Sequence, residues 1–283
     1  MSDAMNCGVV GAGLMGREIA LVFALAGHSV LLHDRTEEAL TAAMDRLAAI
    51  IDKGIARNLF AEGDRAALDR IATTTDLADF SGCDFVTEAV FEREDIKAEV
   101  FAALDRHCKP DCIIATNTST IPITVLASYV GEARRGRFIG THYFSPVSRM
   151  KLVEVIPGHF TDPGIVTRTL DICTGLGKKP IPIKDVTGFA VNRLLHVLMI
   201  EAVRLVEEGV ATPEDIDTAC KLGLGHPMGP FELMDATTSS LCLQAQEIMH
   251  DAYGERFRPR PLLKARVRAG LVGGRGRPGW RRA

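Results

Sequence analysis

Apolar residues recur along the first two thirds of this chain in two alternating rhythms. A short apolar run ends at Val9-Val10, and Met15, Ile19, Val22, Phe23 and Ala26 then recur at helical spacing. After Gly27 the run Ser29–His33 reads as a second strand. The spacing of Leu40, Met44, Leu47, Ala48 and Ile51 predicts a long helix over 36–54, ended near Lys53-Gly54, with a connection to Gly63. Strand patterns at 71–74, 84–90 and 112–115 alternate with a helix over 93–107. This βαβ rhythm predicts a doubly wound, mostly parallel Rossmann-type sheet with helices on both faces.

From Phe138 the rhythm changes. Residues 138–142 and 152–156 are strand-like and joined by a proline-containing connection; 163–176 reads as a helix and 180–183 as one more short strand. After Gly188 no strand pattern recurs, and helices are expected at 189–209, 213–222, 231–252 and 261–269. Thr212-Pro213-Glu214-Asp215 combines a cap, a proline at the first helical position and acids in the first turn. The expected division is therefore an α/β dinucleotide-binding domain at 1–186 and an all-helical domain at 187–283.

Bulk properties narrow the class. A formal net charge of −3 over 283 residues speaks against a nucleic-acid surface. No apolar run approaches the ~18 residues of a membrane span, and the N-terminus lacks a signal-peptide pattern. Seven cysteines, an odd number without a C-x-x-C, point to reduced thiols in a cytoplasmic protein and to no metal site. The basic C-terminal residues Arg275, Arg277, Arg281 and Arg282 read as a solvated tail.

The candidate chemistry starts at Gly11, Gly13 and Gly16, a G-x-G-x-x-G between strand and helix that includes Leu14 and Met15. In this motif one glycine makes the turn, one admits a pyrophosphate to the backbone, and one lets helix and strand approach. The N–H groups opening the helix then face phosphate oxygens. Asp34 closes the second strand and can accept hydrogen bonds from an adenosine ribose, which favours NAD over NADP. Glu92 and Lys97 follow the 84–90 strand, and Asn117-Thr118-Ser119-Thr120 follows the 112–115 strand. Both loops leave carboxyl ends of strands, where an open α/β sheet binds ligands. Glu154 interrupts the apolar run 152–156, which is costly unless the carboxylate is paired. His142, on the neighbouring strand pattern, is a suitable partner, and a carboxylate-held imidazole moves protons near neutral pH. Asn192, in the first turn of the helical region, either caps its helix or holds a substrate carbonyl.

With these residues assembled, the chain resembles the 3-hydroxyacyl-CoA dehydrogenase family from about residue 6 to its end. The resemblance is carried by Gly-Ala-Gly-Leu-Met-Gly at 11–16, Glu-Ala-Val-Phe-Glu at 88–92, Asn-Thr-Ser at 117–119 and Thr-His-Tyr-Phe-Ser-Pro-Val at 141–147. Met-Lys-Leu-Val-Glu-Val at 150–155, Thr-Gly-Phe-Ala-Val-Asn-Arg at 187–193, Ala-Thr-Pro-Glu-Asp-Ile-Asp at 211–217 and Leu-Gly-His-Pro-Met-Gly-Pro at 224–230 extend it.

The resemblance implies an NAD-dependent enzyme interconverting (S)-3-hydroxyacyl-CoA and 3-ketoacyl-CoA, short-chain substrates such as 3-hydroxybutyryl-CoA included. His142 would be the general base, Glu154 its charge partner, Ser119 a ligand of the substrate 3-oxygen beside the cofactor, and Asn192 a further holder of that oxygen. Gly11, Gly13, Leu14, Met15, Gly16, Asp34, Glu92, Lys97 and Ser119 would contact NAD. The helical domain would form a homodimer. Departures from the family pattern are Ser145 before Pro146, the 234–240 loop, and the C-terminus Gly276-Arg277-Pro278-Gly279-Trp280, where Arg275 stands near the usual lysine. Because the basic tail suits an acidic partner, a hydroxyacyl group on an acyl carrier protein is an alternative substrate. The same motifs also admit a related sugar-acid dehydrogenase and a non-catalytic, crystallin-like NAD-binding protein. Retention of Ser119, His142, Glu154 and Asn192 argues against the non-catalytic protein.

Overall fold

The computed structural model describes residues 4–281. The chain divides into two compact units at the Val186–Thr187 junction. In the first, β1 (Asn6–Val10), α1 (Leu14–Leu25), β2 (Ser29–His33), α2 (Glu37–Ile55), β3 (Ile71–Thr74) and β4 (Phe85–Glu88) are followed by α3 (Glu94–His107) and β5 (Ile113–Thr116). The short helices α4 (Ile123–Leu126) and α5 (Glu132–Arg135) precede β6 (Phe138–Tyr143), β7 (Leu152–Pro157), α6 (Pro163–Gly175) and β8 (Lys179–Pro182).

The eight strands form one sheet in the order β3-β2-β1-β4-β5-β6-β7-β8. Neighbours are parallel except β6 and β7, which are antiparallel. The order reverses direction at β1, between β2 and β4, and the crevice at such a switch point is where doubly wound sheets bind dinucleotides. The central strands are buried on both faces: every residue of β4, β5 and β6 is buried. This fits parallel strands sandwiched between helices and explains their near-continuous apolar runs. Ile19, Phe23, Leu32, Leu40, Leu47, Ile51 and Ile113 form part of a shared core between helices and sheet.

Two boundaries differ from the sequence pattern for identifiable reasons. The α2 helix runs through Gly54 to Ile55. Gly54 is a packing glycine there, since a Cβ would lie 2.0 Å from the Phe60 ring. The β4 strand ends at Glu88, two residues early, because the Glu88 carboxylate turns back to accept the N–H of Val90 at 2.7 Å.

The second unit contains α7 (Val191–Glu207), α8 (Pro213–Gly223), α9 (Pro230–Thr237), α10 (Ser239–Tyr253) and α11 (Pro261–Arg268). Thr212 caps α8 as its sequence signals, accepting from Asp215 N. The single helix expected over 231–252 is instead two, α9 and α10. Thr238, at φ 98°, breaks the ladder, and its hydroxyl accepts from Leu241 N at the start of α10. Buried Asp217 accepts from Phe231 N and Glu232 N and so tethers the first turn of α9 to α8.

The basic C-terminus is not simply a solvated tail. Trp280 is buried against Phe231. Its backbone N–H donates to Asp235, and its indole N–H to Ser239. Arg281 pairs with Glu232 and approaches Asp217. Arg275 and Arg277 are exposed; Arg282 lies outside the described residues. The tail is held because its tryptophan completes the core formed by Met199, Val203, Phe231, Met234, Cys242 and Leu263.

Candidate active site

The glycine-rich loop leaves β1 at the switch point. Gly11 has φ +98°, and a Cβ there would lie 2.7 Å from the Ala89 carbonyl oxygen. Gly16 leaves no room either, since its Cβ would meet the Gly11 oxygen at 1.7 Å. At Gly13 a Cβ would meet nothing within 4 Å, so the open side of the loop is there. Gly13 and Leu14 are exposed and Met15 is half-buried at the start of α1. Asp34 sits at the end of β2, where its carboxylate accepts from Ala12 N at 2.7 Å and from Arg35 N at 2.7 Å. These bonds hold the carboxylate against the loop. An open backbone turn, a helix start and a fixed acid are what a dinucleotide's pyrophosphate and ribose require.

The loop after β4 is organised by buried charges. The Lys97 ammonium on α3 is 1 % exposed and lies 2.7 and 2.9 Å from the two oxygens of Glu88, itself fully buried. It is also 3.3 Å from Glu92. Thr116 donates to Glu88 at 2.6 Å. Lys97 therefore lies beneath the loop as the cation holding two carboxylates. Glu92, half-buried, accepts at one oxygen from the Thr118 hydroxyl (2.6 Å), Ser119 N (2.8 Å), Thr120 N (3.0 Å) and the Thr120 hydroxyl (3.1 Å). Burial works against its charge, but Lys97 and these donors outweigh burial and hold its carboxyl below the ordinary range. Glu92 thus fixes the loop that carries Ser119.

The third element is a side-chain relay across β5, β6 and β7. Antiparallel pairing puts His142 directly opposite Glu154. Residues in such register project from the same face of the sheet. His142 Nδ1 is 2.8 Å from Glu154 Oε2, and His142 Nε2 is 3.1 Å from Ser119 Oγ. Glu154 is fully buried and His142 is 5 % exposed. An ionised carboxylate only accepts, so Nδ1 carries the proton toward Glu154. Nε2 is then an acceptor for the Ser119 hydroxyl. Asn117 steadies this end of β6 by accepting from Tyr143 N at 2.9 Å. Phe144 packs its ring edgewise on the imidazole, with centroids 4.6 Å apart.

Asn192 is half-buried in the first turn of α7, in the second unit. The first unit thus brings together Ser119, His142, Glu154 and Glu92, with Lys97 behind Glu92, while Gly11, Gly13, Gly16 and Asp34 form their own constellation at the end of β1 and β2.

Glu88 is not among the site residues expected from the sequence. The signal was present: like Glu154, it is a carboxylate among strand residues, in Phe85-Val86-Thr87-Glu88. The cost of burying an unpaired ion marks Glu88 in β4 for the same reason that it marks Glu154 in β7.

A doubly wound sheet, an open glycine turn and a serine–histidine–glutamate relay define a dinucleotide-dependent oxidoreductase. The family model for the 3-hydroxyacyl-CoA dehydrogenase NAD binding domain matches residues 6–186, and the model for that family's C-terminal domain matches residues 188–282. The chain belongs to the 3-hydroxyacyl-CoA dehydrogenase family, and it is an NAD-dependent enzyme.

Among its relatives, a probable 3-hydroxybutyryl-CoA dehydrogenase of Deinococcus radiodurans is 42 % identical over 274 residues, covering 95 % of this chain and 96 % of that protein. The mitochondrial hydroxyacyl-coenzyme A dehydrogenase of Sus scrofa is 42 % identical over 270 residues, covering 92 % and 85 %. Among solved structures, (S)-3-hydroxybutyryl-CoA dehydrogenase PaaH1 of Ralstonia eutropha superimposes with a TM-score of 0.91 at 36 % identity, covering 98 % of both chains. FadB2 of M. tuberculosis gives 0.94 at 38 % identity, covering 99 % of this chain and 100 % of that one.

Proposed function

We propose that this enzyme interconverts short-chain (S)-3-hydroxyacyl-CoA and 3-ketoacyl-CoA. The observation that carries the reading is the Ser119–His142–Glu154 relay, with 3.1 Å and 2.8 Å steps. Several relatives of nearly the same length bear the name 3-hydroxybutyryl-CoA dehydrogenase, which supports the short chain.

Gly11, Gly13, Leu14, Met15 and Gly16 would hold the NAD pyrophosphate, Asp34 its adenosine ribose, and Glu92 and Ser119 its nicotinamide end, with Lys97 holding Glu92. Bound NAD supplies the two-electron acceptor for C3 of the substrate. In oxidation, His142 Nε2 removes the proton of the 3-hydroxyl. Glu154 stabilises the imidazolium that forms, which in a buried site is worth more than in water. Ser119 donates to the 3-oxygen and fixes its direction. In reduction, the same imidazolium returns its proton to the forming alkoxide. A neutral histidine is the suitable base because imidazole titrates near working pH.

We assign the thioester carrier to a cleft in the same unit. A cleft of about 450 Å³ is lined by Lys53, Arg57, Arg149 and Lys151, with Leu59 and Phe60 as apolar floor. The four cations are exposed and suit the phosphates of CoA. An acyl-carrier-protein substrate is less favoured, because Trp280 and Arg281 of the basic tail are committed to contacts within the chain and the relatives are named for CoA.

The second unit exposes Leu194, Val197, Leu222, Leu224 and Leu241, between 48 % and 84 % accessible. Burying such residues between two copies supports the homodimer reading. The decisive measurement is oxidation of NADH dependent on acetoacetyl-CoA. Absence of turnover, with NADH binding intact, would remove the proposed reaction.

A further inference from the structure

Two buried ions outside the relay grip one loop. Glu18 lies in the second turn of α1 and is 5 % exposed. Its Oε2 accepts from Ser148 N at 3.2 Å and lies 3.3 Å from the Ser148 hydroxyl. Lys178, just before β8, is 8 % exposed. Its ammonium donates to the carbonyl oxygens of Val147 and, at 2.9 Å, Met150. Burial, followed by the nearby Lys151, pulls its pKa down to about 8. Such a cation is costly to keep, and Glu18 is the carboxylate whose charge favours it.

The gripped segment is the 146–151 connection between β6 and β7, the strands that carry His142 and Glu154. It is a single helical turn, with Arg149 N and Met150 N both donating to the Pro146 oxygen. One turn leaves most of its backbone groups without partners within the turn. Glu18 takes an N–H from it and Lys178 supplies protons to its carbonyls. The turn carries Arg149 and Lys151 into the cleft that Lys53 and Arg57 also line, and Glu18, held by its bonds to Ser148, borders the same cleft. Glu18 and Lys178 are not members of the Ser119–His142–Glu154 relay.

The geometry points to Glu18 and Lys178 as positioning residues for the carrier end of the substrate. They lock the 146–151 turn so that Arg149 and Lys151 meet the phosphate groups of the thioester's carrier. This rests on the reading of that cleft as the site of the CoA phosphates. Catalysis at His142 is left to the β6–β7 register, which continues without the turn. The clamp therefore governs affinity for the phosphate-bearing part and not the proton transfer.

The test compares two substrates with the full-length enzyme: acetoacetyl-CoA, and acetoacetyl-N-acetylcysteamine, which has the same reacting group and no phosphate. Glu18→Ala and Lys178→Met are each expected to raise KM for acetoacetyl-CoA about tenfold, the effect of losing one charge-assisted hydrogen bond. The kcat with acetoacetyl-CoA, the KM for NADH, and kcat/KM for the phosphate-free thioester should stay within about twofold of wild type. Glu18→Gln, which keeps an acceptor, should recover part of the loss.

An equal fall for both thioesters would show a general structural role, and wild-type KM for acetoacetyl-CoA in both variants would show no role; either result overturns the clamp. Ser148→Ala, which removes only a hydroxyl, carries the same comparison if a larger change prevents folding. The cleft reading fails separately if wild type uses both thioesters with equal kcat/KM, or if Arg57→Ala combined with Lys151→Ala leaves KM for acetoacetyl-CoA unchanged.

Discussion

His142 and Glu154 are cross-strand partners in the only antiparallel pairing of the described sheet, and their side chains meet at 2.8 Å. The pairing explains why a carboxylate is tolerated in the middle of an apolar strand. It also makes the two residues one functional unit, because the strand register and not a flexible loop sets their distance.

The first expectation follows from that unit. His142→Ala should lower kcat about 10²- to 10⁴-fold, the usual effect of losing a positioned general acid–base. Glu154→Gln should keep the fold and lower kcat far more than it weakens NADH binding. The double variant should cost much less than the product of the two losses, since Glu154 has no task once the imidazole is gone. Losses that multiply in steady-state kinetics would make the carboxylate independent of the histidine.

The proposed ribose site assigns cofactor choice to Asp34, which Ala12 N and Arg35 N hold at the end of β2. A 2′-phosphate there would face a fixed negative charge, so kcat/KM should favour NADH over NADPH by about tenfold or more. Asp34→Ser should narrow the ratio. Equal use of both cofactors by wild type would show that Arg35 overrides the carboxylate.

Lys97 and Glu88 offer a stability test. Lys97→Met leaves the fully buried Glu88 without its cation and should destabilise the protein by about 3–5 kcal/mol. Glu88→Gln combined with Lys97→Met removes the charge as well, and its loss in urea denaturation should be smaller than that of Lys97→Met alone. Additive losses would mean that the two residues do not act as a pair.

The second unit should be acid-sensitive through His196. Burial lowers its pKa from 6.5 to about 4. Between these values the unfolded chain binds the proton and the folded one does not, so stability rises with pH across that window and is lost as pH falls from 6.5 toward 4. The full effect is about 3 kcal/mol. The His196→Gln variant should show a shallower fall in Tm between pH 6.5 and pH 4. An unchanged slope would assign the acid sensitivity to other groups.

Assembly is testable by light scattering at micromolar concentration, where a dimer is expected. Leu222→Glu, at a leucine 84 % exposed, should shift the enzyme toward monomer if that residue lies between subunits. A monomeric wild type would remove the dimer.

The alternation of strand and helix, the glycine turn with its acid at residue 34, and the change to an all-helical region after Gly188 are legible in the residues alone. These are local signals: a strand period, a helical period, and residues suited to a turn or a cap. The sequence also marked Glu154, because an ion in an apolar strand demands a partner wherever the strand lies. What the sequence could not supply was which groups meet. Lys97 reads as a contact to the cofactor after the 84–90 strand, and only the packing of α3 on the sheet shows it buried between Glu88 and Glu92. Residues 231–252 read as one helix, and the break is a left-handed Thr238 that periodicity does not show. The basic tail reads as solvent-exposed, and its anchoring came from Trp280 finding Phe231 and Asp235 some 45 residues away. Local propensity depends on neighbours in the chain and is legible there; burial of charge and the register of β6 on β7 depend on contacts between distant segments, which only the tertiary structure decides.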